Sequence, residues 1–140
     1  MFLKRSVSQL GFTLIELMVV VSIIGVLMAA GILAFSNAQQ NARDAKRRAD
    51  IDAISKALEQ YNANHDGNYT DTSSDINSYF PSGAIPNDPQ GGSYNLSLIT
   101  TGYCVCAHLE KAGRGNSTAN GTTGVCAYGT GDYFCASQRQ

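Results

Sequence analysis

The chain has 140 residues, of which 10 are basic and 11 acidic, for a formal net charge of −1. Setting aside the apolar segment near its start leaves about 105 residues, enough for one small domain. The charge balance is not that of a polyanion-binding protein. No phosphate loop, dinucleotide fingerprint or nucleophile motif appears, and His65 and His108 stand far apart in the sequence. Neither catalysis nor a cofactor is expected.

Residues 1–11 form a short leader with Lys4 and Arg5 ahead of the apolar run. Positive charge there holds the N-terminus in the cytoplasm and sends the rest outward. The run extends from Phe12 to Phe35 with a single carboxylate, Glu16. As a helix it is about 36 Å long, enough to cross a bilayer. An ionised carboxylate in hydrocarbon costs about 2.5–3.5 kcal/mol, so Glu16 needs a partner. The expected partner is a positive group, nearby in the chain or on a neighbouring copy. Two plainer readings compete. Ala29-Ala30-Gly31 offers a signal-peptidase site, and the segment could be a simple membrane anchor. The length of the run and the presence of Glu16 argue against an ordinary signal core.

Gly11 followed by Phe12-Thr13-Leu14-Ile15-Glu16, and then an apolar run containing Gly25, resembles the N-terminus of type IV pilins and of the pseudopilins of type II secretion. The resemblance is close over about the first 35 residues and looser in the helix beyond. It implies a prepilin peptidase that cuts between Gly11 and Phe12 and methylates the Phe12 amine. It implies that Glu16 is the assembly carboxylate, meeting the N-terminal amine of an adjacent copy in a helical homo-oligomeric filament. Further implied partners are the inner membrane before assembly and the pilus or secretion assembly machinery. Type IV pilins usually carry a proline late in this helix, and Leu33 stands in its place. Gly25 and Gly31 weaken the segment by about 1 kcal/mol each relative to Ala.

Helical pattern continues from 36 to about 64, without proline or glycine. Ile51, Ile54, Leu58 and Tyr61 recur at three- and four-residue spacing as one apolar stripe. Ala38, Ala42, Ala45 and Ala49 form a thinner stripe that would admit another helix closely. Arg43, Asp44, Lys46, Arg47, Arg48, Asp50 and Asp52 occupy the opposite face. The pairs Asp44–Arg48, Lys46–Asp50 and Arg48–Asp52 stand at i,i+4. The basic cluster Arg43, Lys46, Arg47 and Arg48 reads as a solvated face balanced by the aspartates. The rival reading is contact with phosphates of DNA or lipid headgroups. Gly67 ends the helix, with His65 at its end.

Residues 68–92 are turn-rich, with one short helix expected around 76–80. Gly67-Asn68-Tyr69 and Pro86-Asn87-Asp88-Pro89 resemble the Gly-x-Tyr segment and Pro-x-Asp-Pro turn of the same pilin family. Residues 93–99 alternate weakly and 102–110 form the best strand, with Cys104 and Cys106 on one face and His108 as a surface or packing residue. Residues 111–124 read as a loop. Residues 125–128 and 133–136 read as a hairpin around Gly129-Thr130-Gly131-Asp132, which sets Cys126 opposite Cys135.

Four cysteines, Cys104, Cys106, Cys126 and Cys135, imply two disulfides in an exported domain. A Cys104–Cys106 bridge would close a very tight ring, which favours pairing each with one of Cys126 and Cys135. The opposition expected in the hairpin keeps a Cys126–Cys135 bridge open, so connectivity stays undecided. Cys-x-Cys is not the usual zinc spacing, and no metal is expected. The aspartates lack the spacing of a calcium loop. Asn-x-Ser/Thr sites begin at Asn68, Asn95, Asn116 and Asn120.

The expected fold is α+β and pilin-like: one long N-terminal helix, half in the membrane and half amphipathic, packed on a small antiparallel sheet of three or four strands with a disulfide-bonded C-terminal region. Its parts are a leader (1–11), a transmembrane and assembly half-helix (12–35) and an exported domain (36–140). The expected role is a subunit of a type IV pilus or pilus-like filament, with a type II secretion pseudopilin as the alternative. A membrane-tethered module that binds DNA or a surface is the more distant one. The N-terminus is expected in the cytoplasm and the domain outside, ending in an extracellular pilus or a periplasmic pseudopilus.

Overall fold

The computed structural model describes residues 11–69 and 75–138, the side chain of Leu33 excepted. The expectations for Lys4, Arg5 and the rest of the leader before Gly11, and for the Leu33 side chain, lie outside the described residues. The chain divides into two units, Met1–Ala38 and Gln39–Gln140, and a single helix, α1 (Leu14–Asn64), enters both.

In the first unit α1 exposes its apolar side chains. Phe12 is 90% exposed, and Leu14, Ile15, Leu17, Met18, Val21, Ile23 and Val26 are all exposed as well. By length and composition this helix can cross a membrane, and none of its most apolar stretch is buried within the protein. The one hydroxyl in that stretch is satisfied locally, since Ser22 Oγ donates to the Val19 carbonyl at 2.7 Å. Among the described residues nothing would meet a Cβ at Gly11, Gly25 or Gly31.

The second unit is built on the other half of α1. Ile51, Ile54, Leu58 and Tyr61 are all buried, as their spacing predicts. Each such side chain contributes roughly 1.5–3 kcal/mol when fully removed from water. The helix stops where Asp66 (φ 53°) and Gly67 (φ 82°) turn left-handed, and the Gly67 N–H returns to the Asn62 carbonyl at 3.1 Å. A short 3-10 helix follows at Ile76–Tyr79, close to the expected position.

Five strands form one antiparallel sheet: β1 (Asn95–Ile99), β2 (Gly102–His108), β3 (Gly115–Ser117), β4 (Tyr128–Gly131) and β5 (Tyr133–Ser137). Their spatial order is β1-β2-β5-β3-β4. The inner strand β2, between β1 and β5, is buried on both faces. Tyr103, Val105 and Ala107 join Ile51, Ile54, Ala57 and Leu58 of the helix, with Leu96, Leu98, Phe134 and Ala136 packed alongside. Cys104 and Cys106 point the other way, into a small second core with Cys126, Cys135 and Tyr133.

The sheet corrects three expectations. It has five strands, not three or four. Residues 111–124, expected as loop, contain β3. The hairpin expected from 125–128 and 133–136 does not form, because β3 inserts between β4 and β5: Ser117 stands opposite Tyr128 in one and Tyr133 in the other. Close backbone approach makes this insertion possible. A Cβ on Gly115 would collide with the Tyr133 carbonyl, and one on Gly131 with the Ser117 carbonyl. Asn116 then closes the junction with its side-chain amide, accepting from the Cys135 N–H at 2.7 Å and donating to the Cys135 carbonyl at 2.9 Å. Cys135 consequently faces Cys106 on β2, not Cys126.

Candidate functional site

Glu16 sits in the first turn of α1. Its Oε2 accepts from the Thr13 N–H at 2.9 Å and from the Thr13 hydroxyl at 2.7 Å, while the Glu16 N–H donates to Thr13 Oγ1 at 3.3 Å. This is a reciprocal capping box, in which the two side chains satisfy amides left open at the helix start. Thr13 thus gives Glu16 neutral donors within the chain, beside the cation that burial of its charge still calls for. The Thr13-x-x-Glu16 pattern was readable as a capping signal, but Thr13 stood out only as part of the longer motif.

In the second unit part of the charged face of α1, with Asp44, Arg47 and Asp50, turns toward the domain and is buried, while Lys46 and Asp52 stay exposed. Arg47, with its side chain 4% exposed, uses all five of its N–H groups. Nε and Nη2 hold the Asp88 carboxylate at 2.6 and 3.0 Å. Nη1 donates to Asp44 and to Glu110, both at 2.9 Å, and Nη2 also reaches Gln90 at 2.7 Å. Arg43 grips Glu110 through Nε and Nη2 at 2.6 and 2.7 Å. Asp44 in turn accepts the backbone amides of Glu110 and Lys111. The solvated-face reading is thus corrected for Arg43 and Arg47, and so is phosphate binding by them, since their charges are consumed internally; it holds for Lys46, whose side chain is 57% exposed. Among the expected i,i+4 pairs, Lys46–Asp50 forms at 3.3 Å. Arg48 instead donates to the Arg114 carbonyl and lies over the Phe134 ring, 5.2 Å from its centre. The alanine stripe, Ala38, Ala42, Ala45 and Ala49, is exposed.

These contacts set the electrostatics. Hydrogen bonds from Arg43, then from Arg47, hold the Glu110 carboxyl down at about 2 against the opposing effect of burial. Arg47 lowers Asp88 in the same way, and the carboxylates raise both arginines. Farther along α1 the helix carboxylates receive tyrosine hydroxyls. Tyr94 donates to Asp50 at 2.7 Å and Tyr103 to Glu59 at 3.0 Å. Burial, reinforced by these carboxylates, pushes both phenols up and takes Tyr69 to about 12.

The cysteines converge as expected. Cys104 lies at bonding distance from Cys126, and Cys106 from Cys135, with Cα separations of 5.3 and 4.1 Å. The cross-hairpin alternative, Cys126 with Cys135, is excluded by the same geometry. Gly121 covers this core, where a Cβ would strike Cys104 Sγ. The four sulfurs lie within 4.8 Å of one another and are the one set of three or more potential metal ligands among the described residues. Their pairing leaves no free thiolate to coordinate. His65 follows the last residue of α1 and His108 is exposed at the end of β2, as expected. His65 stacks on Tyr61 at 3.8 Å, and His108 meets Tyr133 edge-on at 4.9 Å. Of the Asn-x-Ser/Thr sites, the Asn95 and Asn116 amides are engaged with the Gly121 and Cys135 carbonyls.

Against this geometry, residues 7–32 match the prokaryotic N-terminal methylation motif. The chain carries a prepilin signal. It is the signal of type IV pilins and pseudopilins, proteins of structural rather than catalytic type. It implies processing by prepilin peptidase and handling by a pilus or secretion assembly machinery. The prepilin signal contains Gly11, Phe12, Thr13 and Glu16 and ends before the second unit begins. With one long apolar helix beside it, it fits a membrane-anchored protein. No curated protein and no solved structure matches the chain.

Sequence reasoning missed Asp88, Gln90 and Glu110 as partners of α1. Asp88 lay in the quoted Pro86–Pro89 turn, but nothing local pointed from it to Arg47, 41 positions earlier.

Proposed function

We propose that this protein is a structural subunit of a type IV pilus or pilus-like filament. In this reading 1–11 is the leader, 12–35 the membrane and assembly half of the helix, and 36–140 the exported domain. Prepilin peptidase cuts between Gly11 and Phe12 and methylates the new amine. The subunit waits in the inner membrane with its domain outside, then joins a helical homo-oligomer at the cell surface. Cys104, Cys106, Cys126 and Cys135 staple the exported domain.

One observation carries the reading: a prepilin signal on a helix whose apolar surface no described residue covers, with one carboxylate in its first turn. Bundling with other copies buries that surface. Burial would also strand Glu16 unless a cation meets it, and the Phe12 amine of an adjacent copy supplies one. The Thr13 capping box satisfies Glu16 before assembly, so assembly exchanges neutral donors for a charge-assisted one. A one-residue slip would leave both charges buried and unpaired, at a cost of about 3–5 kcal/mol.

The test is Glu16→Ala expressed in the native host. Membrane insertion and N-methyl-Phe12 should persist while filaments disappear. Normal filaments from this variant would refute the assembly role. Deletion of the protein separates the two filament types: loss of long surface fibres supports the pilus, whereas loss of a secreted enzyme with no change in surface fibres makes it a pseudopilin.

A further inference from the structure

The basic residues of α1 have divided roles. Arg43 and Arg47 are neutralised by Glu110, Asp88 and Asp44, and Lys46 meets Asp50. Arg48 turns elsewhere. With Lys111 and Arg114 it lines a pocket of about 240 Å³, completed by Asn41, Asp44 and Ala45. Arg48 spends one nitrogen on the Arg114 carbonyl, which ties the two residues together. The Lys111 ammonium and the Arg114 guanidinium have no hydrogen-bond or ion-pair partner among the described residues. The one carboxylate in the wall, Asp44, already accepts from Arg47 and from the amides of Glu110 and Lys111. Nearby, Asp132 accepts the Gly113 N–H. Three cations thus surround a concavity whose acidic neighbours are engaged.

We propose that this pocket binds the phosphate of an anionic phospholipid headgroup while the subunit is held in the membrane. The inference rests on the membrane-held stage of the proposed function. Two forked guanidinium groups and an ammonium match a tetrahedral phosphate in charge and in donor geometry. Position along the chain favours lipid as the source. Asn41 follows Phe35, the end of the apolar run, by only six residues of α1, and cations just beyond a span are where headgroups recruit basic side chains. The pocket suits one phosphate, not the repeated phosphates of a nucleic acid. The processed chain, with 8 basic against 11 acidic residues, would also repel a polyanion. Release of that headgroup would accompany extraction of the subunit into a filament.

The experiment uses the full chain. Membrane fractionation comes first. Then the detergent-purified protein is offered equal amounts of phosphatidylglycerol and phosphatidylcholine, and retained lipid is counted by native mass spectrometry. The wild type should prefer phosphatidylglycerol. Lys111→Ala with Arg114→Ala should weaken that preference about tenfold, ~1.4 kcal/mol, which is within what two cations contribute near an anionic headgroup. The control Lys56→Ala, an exposed cation away from the pocket, should leave the preference unchanged. An equal preference in the double variant, or an equal loss with Lys56→Ala, overturns the pocket. Displacement of the lipid by equimolar inorganic phosphate assigns the site to the free anion and overturns the lipid source. Tighter binding of an oligonucleotide than of the lipid does the same in favour of nucleic acid. A chain recovered in the soluble fraction overturns the membrane reading, not the pocket.

Discussion

Replacing Arg47 tests the central geometric finding, that the charged face of α1 is an internal clamp. In Arg47→Met the aliphatic volume remains and five hydrogen bonds go. Arg43 still holds Glu110. Asp88 and Asp44, with side chains only 18% and 9% exposed, lose their cation. Breaking a buried pair by removing one partner costs about 3–5 kcal/mol. For a domain near 100 residues each kcal/mol shifts Tm by about 4–8 °C, so Tm should fall by at least about 12 °C. All 7 tyrosines lie in Gln39–Gln140, so the tyrosine band in near-ultraviolet circular dichroism of the detergent-solubilised full chain reports on that unit. Arg47→Lys keeps the charge but offers three donors in place of five, and should recover only part of the loss. A fall of under about 3 °C in Arg47→Met would refute the clamp.

Acidification gives the same substitution a signature that a packing defect lacks. Glu110 is held at about 2 in the fold against an ordinary 4.5, and Asp88 is also lowered. Folded-state values below the unfolded ones mean stability that is present above about pH 4.5 and lost as pH falls toward 2. The wild type should therefore weaken across that window. In Arg47→Met burial acts on Asp88 without its opposing cation, so the carboxyl rises and protonation relieves strain. That variant should gain stability as pH falls from 7 toward 5, where the wild type is flat. Parallel pH profiles would refute the electrostatic account even if Tm fell.

Other predictions follow from the disulfide core, the β3 insertion and the helix start. Cys104→Ser with Cys126→Ser removes one closed loop of 22 residues and should cost about 3 kcal/mol with a single monomeric species on non-reducing gels. Cys104→Ser with Cys135→Ser strands Cys106 and Cys126 and should yield scrambled or dimeric species; equal behaviour of the two double variants would refute the pairing. Gly115→Ala drives a methyl into the Tyr133 carbonyl and should cost about 1–3 kcal/mol, read as faster amide exchange at Ser117 and Tyr133 than at Val105. Thr13→Val removes the cap and should cost about 1 kcal/mol at the helix start. It should speed amide exchange in the first turn and reduce filament yield, whereas Glu16→Ala abolishes filaments.

Local signals were legible in the sequence and long-range ones were not. Ile51, Ile54, Leu58 and Tyr61 announced the buried face of α1 because burial and the 3.6-residue period coincide there. Gly102–His108 announced β2, although it is buried on both faces and so shows no alternation of polarity. β3 was hidden because Gly-Asn-Ser has none of the composition of a strand. It exists because Gly115 and Gly131 permit contact and Asn116 supplies a backbone-like amide. Placing β3 there displaced the expected hairpin and with it the expected opposition of Cys126 and Cys135.

The misread polarity of α1 has a cause that the sequence did contain. Pairing charges only at i,i+4 assigns Asp44 and Asp52 to Arg48 and Asp50 to Lys46, and leaves Arg43 and Arg47 with no carboxylate at that spacing. Arg43 has no acid at i,i+3 either, and Asp44 at i,i+3 fills only one of the five donors of Arg47, so this half of the helix calls for acids from elsewhere in the chain. Asp88 and Glu110 are those acids. One lies in the Pro86–Pro89 turn and the other at the end of the strand-bearing segment that contains β2. A turn bounded by two prolines fixes the backbone around Asp88 before any contact is made, so the carboxylate is presented to Arg47 at little entropic cost. Among the described residues Arg48, Lys111 and Arg114 have no carboxylate partner, which is why the pocket they line, and not the arginine pair beside it, is the place to look for an external anion.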